Sequence, residues 1–154
     1  MNSEKIRKFW QEACAANTEI NKNEPYEVWC FHHNQPSSKK LAELVLAGKK
    51  RATASLMEHP ADAGDGGTVG RCSVVTDFDD EPQCVIQTSE VRFLPFEEVD
   101  AQFAFDEGEG DRSLEYWQRA HRKFFTECCF DLDIEFSESM MVSCKRFKIL
   151  FPEL

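Results

Sequence analysis

The chain is 154 residues long and carries a formal net charge of −10, from 18 basic and 28 acidic side chains. This length fits a single domain that buries a core of its own. The acidic excess argues against a protein that coats long duplex DNA through its phosphates, and no apolar run approaches the ~20 residues that a membrane span needs.

The N-terminal residues carry charged side chains throughout and lack the apolar stretch of a secretory signal. We therefore expect a cytoplasmic protein with no membrane partner. From Ser3 to Ala16, apolar residues recur on one helical face and predict an amphipathic helix. Residues 26–31 predict a short segment that is either extended or helical. A second helix is predicted from Ser38 to Ala47, and Gly48 follows where a helix ends in the left-handed conformation.

Four later segments have the composition of β-strands. Residues 52–56 are small and compatible with a strand, and they follow the second helix directly. Residues 71–78 and 83–93 predict an antiparallel hairpin with its turn near Asp79 to Pro82. Residues 140–151 alternate well enough to form the closing strand.

Two helices are predicted between the hairpin and the closing strand. Residues 95–104 indicate a turn that leads into a short helix. Asp111 or Ser113 then caps a long helix that reaches about Cys129. Together these elements predict an α+β fold, a small and mostly antiparallel β-barrel flanked by helices.

Three consecutive cations, Lys49, Lys50 and Arg51, occupy the joint between the second helix and the next strand. Cations near a helix C-terminus oppose the negative end of its dipole, which alone accounts for them. Alternatively, Lys50 and Thr53 form a site. A hydroxyl beside a lysine whose proton affinity is lowered by neighbouring cations is a nucleophile and base arrangement. The spacing leaves both interpretations open.

Acidic residues and glycines alternate in residues 106–111. Two glycines cannot continue a helix, so Glu107 and Glu109 are expected on a tight loop where the backbone closely approaches another part of the chain. The alternative is a solvated acidic turn. His121, on the apolar face of the long helix, is more typical of a core residue than of a catalyst.

Four motifs follow one another along the chain: G-x-K-x-x-T at 48–53, PF-E-V at 95–99, EGEGD-x-SL-x-YW at 107–117 and H-x-x-FF at 121–125. With these motifs and the CKRF of its closing strand, the chain resembles the ASCH-domain family, a branch of the PUA-like barrels. The resemblance implies a PUA-like β-barrel with a cleft.

The resemblance also implies a single ASCH domain over residues 1–154, with an N-terminal helical extension that covers about residues 1–36. Two stretches depart from the pattern of relatives. Residues 31–34 replace an FGD-like turn. Lys145 stands where relatives often carry an acid, and it adds a positive charge that suits a phosphate.

In function, the resemblance implies an association with RNA or modified nucleosides. Some members of the wider family look like small amidohydrolases that act on N4-acetylcytidine through a Lys, a Thr and a Glu, and others have been described as ribonucleases. By motif, these catalytic roles fall on Lys50, Thr53 and Glu109, with Glu107 as the rival acid.

Substrate contacts are expected around this catalytic set. Trp29 or Tyr116 is a candidate for stacking on the base. The full set of expected substrate-binding residues combines cations, a hydroxyl, an acid and two aromatic rings: Lys49, Arg51, Ser55, Glu107, Trp29 and Tyr116.

The first hypothesis is hydrolysis of an amide on an N4-acetylated cytidine-type nucleoside, which requires no cofactor and no metal. One alternative is a ribonuclease on single-stranded RNA, with a divalent ion on Glu107 and Glu109. The other is a non-catalytic RNA-binding module. The expected partner is therefore a modified nucleoside or a short single-stranded RNA.

Overall fold

Five strands form one curled, mixed sheet that makes half of a barrel, with helices packed on both of its faces. The structure is a computed structural model, and it describes residues 3–31, 35–57 and 68–152. The elements are α1 (Ser3–Ala16), β1 (Tyr26–Cys30), α2 (Gln35–Leu46), β2 (Ala52–Leu56), β3 (Cys72–Thr76), β4 (Pro82–Pro95), a 3₁₀ turn (Phe96–Glu98), α3 (Ala101–Glu107), α4 (Leu114–Asp131) and β5 (Met141–Phe151).

The strand order in the sheet is β1-β3-β4-β5-β2. β1 runs parallel to β3, whereas the other three pairs are antiparallel. A parallel pair needs a crossover connection, and here the chain between β1 and β3 contains α2 and β2. The prediction of an α+β, mostly antiparallel barrel flanked by helices is confirmed. β1 lies in the region expected as an N-terminal extension, and it forms one edge of the sheet.

Side-chain alternation along β5 separates two faces of the sheet. Val142 and Cys144 pack into the core under α3 and α4, while Phe147 packs into the core under α2. A third core under α1 includes Trp10 and Leu150. Each fully buried large apolar side chain stabilises the fold by ~1.5–3 kcal/mol, so these three cores fix the helices against the sheet.

After the hairpin comes a turn and then a short helix, as residues 95–104 predicted. Phe96–Glu98 form a 3₁₀ turn, Val99 is extended, and Asp100 caps α3 by accepting a hydrogen bond from the Phe103 N–H at 2.9 Å. The helix lies further along the chain than predicted because the Asp100 cap starts it. α3 then continues to Glu107, so this residue lies in the last helical turn and not on the loop.

The remaining elements lie close to their predicted bounds. α1 has the predicted ends, and the hairpin turn lies between β3 and β4 as expected. Ser113 caps α4 through a hydrogen bond from the Tyr116 N–H at 3.1 Å. Residues 32–34 of the changed turn lie outside the described residues. Within the described ranges, no helix is both long and apolar enough to cross a membrane.

Candidate functional site

Lys50 is the only one of the three consecutive cations whose side chain is buried. α2 ends at Leu46, and Gly48 follows with a φ of 77°. The N–H groups of Lys49 and Lys50 both bond to the Leu44 carbonyl. This tight exit turns Lys50 inward, where it is 2% exposed, while Lys49 and Arg51 are exposed.

The buried ammonium of Lys50 is matched by oxygen atoms from the end of α3 and the following loop. Its Nζ lies 3.0 Å from Glu109 Oε2, 3.3 Å from the Glu107 backbone carbonyl and 3.7 Å from Glu107 Oε1. The ring of Phe31 covers it at 5.3 Å from the centroid. Because burying an unpaired ammonium is costly, these oxygens account for its position.

The charged neighbours of the Lys50 side chain differ from those that the sequence predicted. Lys49 and Arg51 were expected to lower its proton affinity through their charge. Both are exposed, and Arg51 pairs with Asp106 at 3.1 Å. The closest charges to Lys50 among the described residues are those of Glu109 and Glu107.

The acidic loop packs tightly on the lysine segment, as its two glycines predicted. Gly108 has a φ of 72°, and a Cβ placed there would lie 2.2 Å from the Lys49 carbonyl oxygen. At Gly110, with a φ of 59°, a Cβ would lie 2.4 Å from the Tyr116 ring. Arg112 bonds to the Lys49 carbonyl at 3.2 Å and so closes the contact. The expected close approach of the backbone is confirmed.

Glu107 is 1% exposed and accepts hydrogen bonds from two side chains of α4. The Trp117 indole N–H donates to Glu107 Oε2, and His121 Nε2 lies 2.9 Å from the same oxygen. The imidazole stacks on Trp117 with 4.2 Å between centroids, and its Nδ1 lies 2.9 Å from the Trp117 carbonyl. Glu107 thus links α4 to Lys50.

The pKa values of this pair shift in opposite directions. Burial raises the pKa of Glu107, but the charges of His121 and Lys50 and the bonds from His121 and Trp117 outweigh it and hold that pKa below the ordinary range. Burial lowers the pKa of His121, but the charge and hydrogen bond of Glu107 outweigh it and raise that pKa above the ordinary value. Glu107 is therefore a carboxylate with an imidazolium beside it.

A second charge cluster surrounds Asp106. Its carboxylate pairs with Arg51 at 3.1 Å and with Arg146 at 2.9 Å, and Arg146 also pairs with Glu90 at 2.8 Å. The backbone reinforces it, since the Arg51 N–H donates to the Asp106 carbonyl at 2.7 Å and the Arg51 carbonyl accepts from Phe147 at 3.0 Å. The main chain of Arg51 thus joins α3 to β5. Its side chain, which was predicted to bind substrate, forms an ion pair with Asp106.

Thr53 and Ser55 lie on the face of the sheet that also carries Phe147. Thr53 pairs with Lys145 in β5, so both side chains point to that face, and Phe147 packs near Phe31, the ring over Lys50. In the part of the chain that is described, the half-buried Thr53 hydroxyl has no hydrogen-bond partner and the Lys145 ammonium has no ion pair. The structure thus joins Lys50 to both acids and leaves the Thr53 hydroxyl unbonded.

The two aromatic candidates for base stacking occupy different places. Trp29 packs edge-on against Phe31 at 4.8 Å and is half-buried, which puts it near Lys50. Tyr116 packs on Gly110 and lies near Arg119, at 5.7 Å from ring centroid to guanidinium. Tyr116 therefore supports the acidic loop from the α4 side.

His121 and Trp117 are the site residues that sequence reasoning missed, since His121 was assigned to the core. Its side chain is only 11% exposed, so the burial was predicted correctly. The available signal was their spacing, because residues four apart on a helix lie side by side. Two rings with N–H groups, one turn apart on a buried face, require an acceptor opposite them.

Glu107, Glu109 and His121 are also the residues whose donor atoms could reach a metal ion, since those atoms lie within 4.8 Å of one another. The ammonium of Lys50 already lies against both acids, and His121 Nε2 is bonded to Glu107. A divalent ion would have to displace these groups.

Comparison with known proteins agrees with this architecture. The ASCH domain profile matches residues 27–150. The solved structure of an ASCH domain from Lactobacillus crispatus JV V101 is 33% identical, with a TM-score of 0.84 over 96% of this chain and 94% of that chain. A protein from Enterococcus faecalis V583 is 26% identical, with a TM-score of 0.82 over 95% and 88%.

A more distant solved structure, of a hypothetical protein, shares the fold at 15% identity and a TM-score of 0.54, over 80% of this chain and 97% of that chain. No protein with a curated description matches the sequence. The profile covers most of the chain, and the Lactobacillus domain matches nearly its full length at 33% identity. The chain therefore belongs to the ASCH domain family.

Proposed function

We propose that this protein is an amidohydrolase that removes the acetyl group from an N4-acetylcytidine-type nucleoside. The observation that carries the proposal is the ion pair of the buried Lys50 with Glu109 at 3.0 Å, just before the strand that carries Thr53. Among the described residues, the Thr53 hydroxyl has no hydrogen-bond partner. A lysine in hydrogen-bond contact with a carboxylate can exchange a proton with it, as a general base requires. The family resemblance supplies the substrate class.

The proposed reaction begins with proton transfer from Lys50 to Glu109, which leaves a neutral amine. That amine takes the proton of Thr53 while Thr53 Oγ1 attacks the acetyl carbonyl carbon. When the C–N bond breaks, Lys50 returns a proton to the leaving N4 amine, which departs as cytidine. Water then hydrolyses the acetyl ester on Thr53 and releases acetate, with Glu109 and Lys50 again carrying the protons.

Trp29 and Lys145 are the side chains that we assign to substrate binding. Trp29 is half-buried beside Phe31 and Lys50, so a base stacked on it would lie near the ammonium. Lys145 shares the face of Thr53. Its ammonium has no ion pair within the described part of the chain, so it suits a phosphate or a ribose hydroxyl of the substrate.

The test is incubation of metal-free protein with N4-acetylcytidine, with cytidine measured by chromatography. We expect Lys50→Ala and Thr53→Ala each to lower turnover by about 10²–10⁴-fold, because the first removes the base and the second removes the nucleophile. Thr53→Ser keeps the hydroxyl and should retain activity. Lys40→Ala, on the exposed face of α2, is the matched control for loss of a lysine.

Lys49 and Lys145 favour a second candidate function, the binding of a short single-stranded RNA through its phosphates. Neither ammonium has an ion pair in the described ranges, and free lysines bind phosphate. Salt-sensitive binding of RNA, without release of cytidine from N4-acetylcytidine, would favour this RNA-binding function. An intact nucleoside beside cleaved RNA would select a ribonuclease, and unchanged turnover in Thr53→Ala would remove the nucleophile role.

A further inference from the structure

We propose that His121 is a positioning residue that sets the charge state of Lys50. It binds Glu107 through Nε2, neutralises that carboxylate, and leaves Lys50 to exchange its proton with Glu109. This inference rests on the proposed function for its catalytic meaning, since it concerns how Lys50 becomes a base. His121 is a positioning residue and not a catalytic one in this scheme, because it acts through Glu107 and takes part in no step on Thr53 or the acetyl group.

The hydrogen bonds of the imidazole define its protonation. The Trp117 carbonyl, 2.9 Å from Nδ1, has only lone pairs to offer, so Nδ1 carries a hydrogen. Nε2 faces Glu107 Oε2 at 2.9 Å, and that oxygen already accepts from Trp117. A bare Nε2 would place a lone pair against a carboxylate. The arrangement is satisfied when both ring nitrogens carry hydrogens and His121 is an imidazolium.

The charges that face this imidazolium then balance. Glu107 approaches from α3, and Glu109 and Lys50 from the loop and from the joint before β2. From β5 comes the thiol of Cys144, which burial and the nearby Glu107 keep neutral by raising its pKa to about 12. Two acids and two cations therefore share one buried site.

This balance decides whether Lys50 can release its proton. With His121 charged, a proton that moves from Lys50 to Glu109 leaves Glu107 still paired with a cation. With a neutral residue at position 121, the same transfer would leave Glu107 as an uncompensated buried carboxylate. Because that state is costly, the proton would stay on Lys50. His121 thus makes the neutral amine accessible.

The decisive experiment is the pH dependence of kcat/KM for the wild type, His121→Gln and Arg122→Gln. The neutral amine of Lys50 is the base in the proposed reaction, so we expect kcat/KM to rise with pH. His121→Gln should move this rising limb upward by about one pH unit, which is about 10-fold lower kcat/KM on the limb at a given pH. Arg122→Gln removes a cation from the next position of α4, which pairs with Glu138 instead, and should leave the limb in place. An equal loss at every pH would overturn the proposal.

A double variant separates the charge of His121 from its bulk. In His121→Gln/Glu107→Gln both members of the pair are neutral, so Lys50 again faces only the charge of Glu109. The rising limb should return toward its wild-type position. If the rising limb of the double variant lies at the same pH as that of His121→Gln, then His121 does not act through the charge of Glu107. That result would also overturn the proposal.

NMR tests the same inference without turnover, so the proposed reaction can fail independently of it. At about pH 7 the ¹⁵N shifts of the His121 ring in the wild type should be those of an imidazolium, and Glu107→Gln should return it to neutral. Titration of ¹³Cε-labelled lysine should show Lys50 losing its proton at a higher pH in His121→Gln than in the wild type. A neutral His121 in the wild type, or an unchanged Lys50 titration, would refute the proposal.

Discussion

Glu107 takes part in more interactions than its position in the sequence predicts. Its side chain accepts from Trp117 and His121 and faces Lys50 at 3.7 Å, while its backbone carbonyl also contacts the Lys50 ammonium. A carboxylate with this many charged and N–H neighbours is stable only while all of them are present.

Truncation of Glu107 should therefore be much more damaging than its neutralisation. Glu107→Ala leaves His121 and Trp117 buried without their acceptor and removes one of the two carboxylates beside Lys50. We expect a loss of about 3–5 kcal/mol in the free energy of unfolding. Glu107→Gln keeps an acceptor oxygen and should lose less. Urea unfolding measures both, with Glu138→Ala as the control.

Glu138 is a suitable control because its pair with Arg122 lies at the surface, where both side chains are about half exposed. Removal of a surface ion pair costs about 0–1 kcal/mol. If Glu107→Ala were no more destabilising than Glu138→Ala, the buried network would contribute little to folding.

The catalytic candidates and their missed partner show what sequence can predict about single residues. Lys50 and Glu109 stand out from their local spacing and motif, and the structure places them 3.0 Å apart. The assignment of His121 to the core followed from its position on an apolar helical stripe, which tells only that it faces inward. That it meets Glu107 depends on how α3 packs against α4, which no local pattern encodes.

At the scale of elements, the loop between α3 and α4 is the part of the site with the least room. Gly108 and Gly48 share the left-handed conformation, with φ values of 72° and 77°. Only Gly108 has the Lys49 backbone directly against it, whereas the space at Gly48 is open. The two glycines form a matched pair for separating backbone strain from steric contact.

Alanine substitutions at these glycines should have unequal effects. Gly48→Ala incurs the left-handed strain alone, about 1–2 kcal/mol in the free energy of unfolding. Gly108→Ala incurs the same strain and a clash with the Lys49 carbonyl, so the loop must move and carry Glu109 away from Lys50. We expect a larger loss of stability and of turnover, measured by urea unfolding and by cytidine release. Equal losses in the two variants would contradict the close packing.

Elements with strong local signals could be predicted, and those that depend on distant partners could not. The periodic α1 has its predicted ends, and the Ser113 cap starts α4. Residues 26–31 were ambiguous because a five-residue strand is too short to establish a period. Its parallel pairing with β3 joins residues about forty-six positions apart, Tyr26 with Cys72, and such long-range pairing has no local signature.

At the scale of the whole molecule, the buried pair of Glu107 and His121 links folding to pH. The pKa of Glu107 is lowered from 4.5, so its contribution is complete above that value and lost as pH falls through the lowered pKa. The pKa of His121 is raised from 6.5, so its contribution is complete below that value and lost as pH rises through the raised pKa. The pair therefore stabilises the fold most between pH 4.5 and pH 6.5, the ordinary pKa values of the two groups.

The difference in unfolding free energy between the wild type and His121→Gln should follow this dependence. We expect it to be largest between pH 4.5 and pH 6.5 and to shrink as pH rises through the raised pKa of His121, because the imidazolium loses its proton in the folded state. Urea unfolding at a series of pH values measures it. A difference that stays constant or grows with pH would mean that His121 is buried as a neutral ring.

The main-chain bonds of Arg51 have a consequence for how this site can change. Its N–H and carbonyl tie α3 to β5, and these bonds do not depend on which side chain stands at position 51. The framework that holds Lys50 is thus independent of the exposed side chains on either side of it. Residues 49 and 51 can vary in charge or size to suit a different ligand, while the buried ammonium between them keeps its place.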